Sequence, residues 1–386
     1  MVGGGLYALV GKVAGTSGML APLAFLLAAT VAFFSALSFS ELSARFPASA
    51  GESRYVHEAF GRPRLSQVIG WLVVATGVVS AATLADATVG FLLDLVEAHP
   101  TLLLVLVVVL LSTIAAWGIT ESVMVAGVVT AIEVGTLVVI VAVRGDVLAT
   151  LPERWGELLP RGSMTEGVAV LAGGFLAFYS YLGFEDMVNV AEEVKEPRRN
   201  LPRGILMALG ITTVLYLAIT LVAVLAVPTD QLAAARTPLA LVLGDASRAS
   251  RDALVIVSLL AGVNGALVQI IMAARVIYGM AQEGRAPRAL GVVSARTRTP
   301  VRATVLIGLV VLVLAAAFPL VALARATSAI ILVVFTVVNV ALFVIKRRAP
   351  EPPPGAPRFP AVVPVVGAAL CASLVGFQLV RWIGAA

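Results

Sequence analysis

Long apolar runs separated by short polar stretches make up most of the chain. They fall at residues 2–16, which is short, then 18–43, 66–96, 101–118, 122–144, 166–191, 204–227, 253–281, 303–323, 326–345 and 360–383. Crossing the hydrocarbon core takes about 20 mostly apolar residues, and a helix meets the demand that every backbone N–H and C=O be satisfied inside its own segment. The pattern therefore predicts an all-α polytopic membrane protein with about eleven transmembrane helices. The stretch Pro350-Glu351-Pro352-Pro353-Pro354 cannot continue a helix and reads as a stiff extended connector. It divides a core, residues 1–346, from residues 347–386, a proline-rich linker with one peripheral transmembrane helix.

Composition agrees with this reading. Hydrophobic residues make up 60% of the chain and charged ones 13%, with a mean hydropathy of +1.02, against roughly 25% charged in soluble domains. A net charge of +5 raises the question of a nucleic-acid partner. The basic residues instead lie in loops on alternate sides of the predicted bundle. One set of loops carries Arg45 to Arg64, Lys195 to Arg203, Arg285 to Arg302 and Lys346 to Arg358, and holds seventeen of the 27 Lys and Arg; the other carries nine. Such a bias orients a membrane protein with its basic loops in the cytoplasm and excludes a nucleic-acid surface. The single cysteine, Cys371, and the two histidines, His57 and His99, offer no metal-ligand spacing, so neither metal nor cofactor is expected.

Two glycine-containing clusters interrupt apolar runs where chemistry can enter. One is Gly3-Gly4-Gly5 with Leu6-Tyr7; the other is Phe178-Tyr179-Ser180-Tyr181-Leu182-Gly183-Phe184-Glu185-Asp186 in the sixth run. They open the first and second blocks of five runs, and an odd number of spans per block makes the two blocks cross the membrane in opposite directions. Inverted-repeat transporters are built in this way, with broken helices at corresponding places. A broken helix offers unpaired N–H groups and a positive dipole end to a carboxylate, and freed carbonyls to an ammonium group. A zwitterionic amino acid fits both. Close helix packing is the other reading of Gly3 to Gly5, and no strand precedes them to make a dinucleotide fingerprint.

Several segments carry a family resemblance. Val2-Gly3-Gly4-Gly5-Leu6-Tyr7 resembles a first-helix G-x-G-[IL]-[FY] motif, and Pro47 to Gly61 resembles the segment P-x-[SA]-[GA]-G-x-x-x-Y-x-x-x-x-[FL]-G that follows a second helix. Phe178 to Glu185 with Glu192-Glu193-Val194-Lys195-Glu196-Pro197, and then Arg275 and Tyr278 to Pro287, look like a sixth helix with its loop and the end of an eighth helix. Together they resemble the amino acid-polyamine-organocation superfamily, in the branch like cationic amino acid transporters. The resemblance implies the leucine-transporter (LeuT-type) fold, a 5+5 inverted-repeat helical bundle with repeats at 1–145 and 166–346. It also implies a substrate held between helices one, three, six and eight. The chain starts inside the first break, so its first helix is expected to be truncated.

The resemblance and the breaks together nominate Val2, Gly3, Gly4, Gly5, Tyr179, Tyr181, Gly183, Phe184 and Glu185 as substrate contacts. Packing remains open for the aromatics, and capping of the second half-helix remains open for Glu185. An ionisable group in mid-span costs roughly 2.5–3.5 kcal/mol and therefore faces a cavity or a partner. Relatives often carry lysine in the fifth helix where this sequence has Glu133, which is expected to couple transport to protons or else to tie helix five to a neighbour. Arg275 is expected to pair with Glu41 or Glu192 in an inner gate. The expectation is secondary transport of amino acids by alternating access, as proton symport or exchange, in the cytoplasmic membrane of a bacterial cell, with no enzymatic step. A channel, an amino-acid-sensing receptor or a polyamine transporter are the alternatives.

Overall fold

Proline marks where many of the helices begin. Its locked φ and missing N–H suit the first helical turn and no later one. The computed structural model describes residues 1–47, 51–118, 123–244 and 247–384. Ala48, Ser49 and Ala50 of the Pro47 to Gly61 segment, and residue 122 at the expected start of the fifth span, lie outside the described residues. The main helices are α1 (Gly4–Ser17), α2 (Ala21–Arg45), α3 (Gly51–Phe60), α4 (Pro63–Leu93), α5 (Pro100–Trp117) and α6 (Val123–Val143). They continue as α7 (Met164–Ala177), α8 (Pro197–Ala226), α9 (Arg248–Gln282), α10 (Val301–Ala317), α11 (Leu320–Arg348) and α12 (Val362–Gly384). Pro63, Pro100 and Pro197 are first residues, and Pro22 sits in the first turn of α2.

Among the described residues there is no strand, and 8 helices are long and apolar enough to cross a membrane. That count treats Gly4–Arg45 as one stretch of 42 residues, although a 3-10 turn at Gly18–Leu20 separates α1 from α2. Gly127–Val143 makes a further span with Gly145–Glu157, bent by 51°, and α10 is apolar but shorter. Every one of the eleven apolar runs thus contains a helix. The ninth run ends at Ala317 instead of 323, and the tenth begins at Leu320 instead of 326, because Pro319 interrupts the ladder and caps the next helix. The polar helix α3 was not among the expected elements.

Helix packing follows a regular scheme in which α1 lies against α7, α2 against α8, α4 against α9 and α5 against α10. In each pair the second member comes five membrane helices after the first. Leu102, Leu106 and Leu110 form an i, i+4 stripe on the outside of α5, each more than half exposed. Such a stripe suits contact with lipid chains and not with water.

One end of the bundle gathers basic loops. Arg45 Nη1 donates to Ala349 O at 2.9 Å, Arg348 Nη1 to Ala59 O at 2.7 Å, and Gln67 Nε2 to Arg285 O at 2.7 Å. Within this end lies a buried ionic cluster. The fully buried Glu41 of α2 meets Arg45 at 2.7 Å and Lys346 of α11 at 2.6 Å. Phe359 of the linker donates its N–H to Glu41 at 3.1 Å and accepts from Lys346 Nζ at 2.6 Å. The proline-rich stretch is non-helical as expected and is pinned to the core at both its ends. Deeper in the bundle, Asn339 donates to Ser35 Oγ at 3.2 Å and accepts from Ser38 at 2.7 Å, while Cys371 of α12 lies 3.4 Å from Ser35. Interhelical hydrogen bonds of this kind hold membrane helices together where no hydrophobic drive acts between them, and they dock α12 along α2 and α11.

Candidate functional site

The sixth apolar run starts as a regular helix, with a capping box between Ser163 and Glu166. It then loses helical geometry in steps. After Ala177 the chain tightens into a 3-10 turn at Phe178–Tyr181, extends at Leu182 (φ −65, ψ 151), and passes through Gly183 at φ 117. An L-residue pays steric strain at that φ, whereas glycine has no Cβ to clash. A second 3-10 stretch, Asp186–Glu193, follows. The Gly183 N–H, freed from any helix ladder, donates to Glu185 Oε2 at 2.7 Å. Glu185 therefore folds back on the break itself instead of capping the half-helix after it.

The first cluster lies at the start of a helix. Met1 to Gly3 are non-helical, Gly3 is extended, and no side chain caps the start of α1 at Gly4. The first-turn N–H groups and the positive dipole end of α1 thus point toward Met1 to Gly3. This start meets the break in the sixth run. A Cβ on Gly183 would lie 3.0 Å from the Met1 nitrogen, one on Gly5 would lie 3.3 Å from Ser180 Cα and from the Tyr179 ring, and Tyr216 Oη donates to Met1 O at 3.0 Å. Val2 is half-buried beside them, and a Cβ on Gly3 would meet nothing within 4 Å. Gly4 serves packing: a Cβ there would lie 2.9 Å from Gly262 Cα in α9 and 2.8 Å from Leu84 in α4. At Gly4 the close-packing reading of the glycine cluster holds.

The aromatic candidates divide. Tyr179 is buried with its hydroxyl 3.0 Å from Ser80 Oγ, and it donates to Ser80 O at 3.1 Å, fixing the break to α4. The Tyr181 ring lies 5.3 Å from that of Tyr216 and 6.4 Å from that of Phe25. Phe184 is fully buried between Phe39 (5.6 Å) and Phe335 (5.3 Å), so it packs the break onto α2 and α11. Glu133 is fully buried in α6, and its backbone carbonyl accepts from Tyr7 Oη at 2.9 Å, which ties α6 to the first turn of α1. Arg275 is exposed in the last third of α9, and Glu192 is exposed at the end of the second 3-10 stretch. Glu41 is already engaged by Arg45 and Lys346.

Below the break, toward the basic end, a cavity of about 20 Å³ is lined by Glu52 of α3, by Glu185, Asp186 and Asn189 of the broken segment, and by Gln269 of α9. Gln269 Nε2 donates to Asp186 Oδ2 at 2.9 Å. Glu52 and Gln269 escaped the sequence reading because nothing local ties a polar loop after the second helix to the eighth helix. An acid in the otherwise short-chained run Ala48-Ser49-Ala50-Gly51-Glu52-Ser53 was the available signal. Among the described residues no group of three or more His, Cys, Asp or Glu side chains is arranged to hold a metal ion.

Comparison with known proteins places this geometry in a family. The amino acid permease family matches residues 1–384. "Cationic amino acid transporter 4, vacuolar" of Arabidopsis thaliana is 30% identical, over 91% of this chain and 61% of its own length. "Branched-chain amino acid permease BcaP" of Bacillus subtilis is 24% identical over 93% and 82%, and the "Methylthioribose transporter" of the same organism 26% identical over 96% and 84%. The chain spans about three fifths of the length of the plant relatives it matches. A match over nearly the whole chain decides the assignment: the chain belongs to the amino acid permease family.

Proposed function

We propose that this chain is a secondary transporter that moves amino acids across the cytoplasmic membrane of a bacterial cell by alternating access. The observation that carries the reading is the meeting of the start of α1 with the break in the sixth run. The uncapped start of α1 presents N–H groups and a positive dipole end, and the turn at Phe178–Tyr181 presents carbonyls and a negative one. An α-carboxylate and an α-ammonium, two bonds apart, match these two ends. Gly3 leaves backbone open there, Gly5 and Gly183 let the two segments approach closely, and Val2, Tyr179, Tyr181 and Glu185 lie around them. The relatives' names give amino acids as cargo of two of them, which supports the same substrate class here.

The pairing of each early membrane helix with the one five places later supports a LeuT-type 5+5 inverted repeat, with 1–145 and 166–346 rocking against each other around that meeting point. Residues 347–386 then form an appended unit. Arg275 and Glu192, both toward the basic end, act in the inner gate. Glu133 carries the coupling proton, since it is a titratable side chain buried beside the helix that starts at the first glycine cluster.

Uptake into proteoliposomes tests the reading. The parent protein is expected to accumulate a labelled amino acid more steeply as an inward proton gradient is imposed. Glu133→Gln keeps the size of the side chain but cannot titrate, so its uptake should no longer follow the gradient. A variant that follows the gradient as steeply as the parent makes Glu133 a structural residue.

A further inference from the structure

We propose that Glu52, in the carboxyl cluster it forms with Glu185 and Asp186, holds a proton that closes the basic end of the bundle beneath the sixth-segment break, and that this proton leaves when that end opens to water. Glu52 is 2% exposed, and its Oε1 has no hydrogen-bond partner. Asn189 Oδ1, on the same cavity, has none either. The cavity of about 20 Å³ has room for roughly one water molecule. Three carboxyl groups line it, and no Lys, Arg or His does. Burial in so dry a site disfavours the ionised form of Glu52. The acceptors left over are satisfied when a carboxyl becomes a donor, which a bound proton achieves in a space too small for an amino acid.

The placement of α3 makes this proton a closing device. The helix is seated on α4, α11 and the Asp186–Glu193 stretch, so Glu52 bridges the loop after the second helix and the break itself. The cavity receives Thr76 from α4, Gln269 from α9 and Ile331 from α11, none of them charged, so that the ionisable neighbours are Glu185, Asp186 and Tyr55 of α3 itself. The Met1 amino group faces Asp186. Burial, the largest effect, and the Asp186 charge push the Glu52 carboxyl up from its usual 4.5 to about 8.

A group with a raised folded-state pKa is protonated in the fold while it is already ionised in the unfolded chain. Its contribution to stability is therefore fully present below pH 4.5 and is lost as pH rises toward 8. Thermal unfolding of the purified full chain, without substrate, should show Tm falling across that window. In Glu52→Gln at least half of the fall should disappear. Asp186→Asn removes a negative neighbour and should move the midpoint of the fall to lower pH, which serves if the first variant does not fold. The same fall over the same window in Glu52→Gln, or an unmoved midpoint in Asp186→Asn, overturns the proposal. Its consequence rests on the transport reading, but the two fail separately. A steep Tm profile in a parent that binds no amino acid by calorimetry keeps the proton site and removes the transport reading; a parent that binds amino acid but gives the overturning profile does the reverse.

Discussion

Replacing Gly183 with leucine is expected to abolish amino acid binding while leaving the helical bundle intact. Gly183 sits at φ 117, where a side chain is strained at a cost of about 1–3 kcal/mol. A Cβ there would also lie 3.0 Å from the Met1 nitrogen, and the rest of a leucine would push apart the contact between Met1 and the sixth segment. The N–H that Gly183 gives to Glu185 would be displaced with it. A loss of only 1.4 kcal/mol already corresponds to tenfold in affinity, so a drop of at least about tenfold is expected. The packing of α2 on α8 and of α4 on α9 does not pass through this residue, so the far-ultraviolet circular dichroism of Gly183→Leu should match the parent. Titration calorimetry reads the outcome, and unchanged affinity removes Gly183 from the site.

Glu41→Ala is expected to have the largest effect on stability. The substitution leaves Arg45 and Lys346, both at most 8% exposed, without the carboxylate that lies between them. Removing one partner of a buried pair costs about 3–5 kcal/mol, because the remaining charges stay desolvated and uncompensated. The loss also frees the Phe359 N–H, and with it the linker after Arg348. Denaturation should therefore begin at markedly milder conditions than in the parent, and limited proteolysis should cut between α11 and α12. A variant as stable and as resistant as the parent shows that the cluster does not hold the linker.

The elements of the fold were legible because span length and apolarity are local properties. Each of the eleven runs contains a helix, and several boundaries moved to a proline, as at Pro319 and Pro63. The break in the sixth run was legible for the same reason, since Gly183 is a lone glycine between bulky aromatics. Chain-distant pairings were not. The Arg45 contact to Glu41 is an i, i+4 pair that helix geometry makes readable, but the Lys346 contact joins residues far apart, and the two take up Glu41, which with Glu192 was one of the two acids expected near Arg275. Phe184 was nominated for substrate by the family resemblance, and its packing against Phe39 and Phe335 was not legible because those residues are far away in the chain. The Glu52 cavity depends on five segments meeting, for which no local pattern exists.

Alternating access where the start of α1 meets the break in the sixth run is tested most directly by counterflow. Proteoliposomes containing the protein are loaded with an unlabelled amino acid and diluted into a trace of the same compound carrying a label. A carrier that must reorient with its cargo gives a transient accumulation of label above equilibrium, and that overshoot is the predicted result for at least one amino acid. Label that enters at the same rate and to the same level whether or not the vesicles are preloaded would contradict the account, because a pore equilibrates its solute without exchanging it.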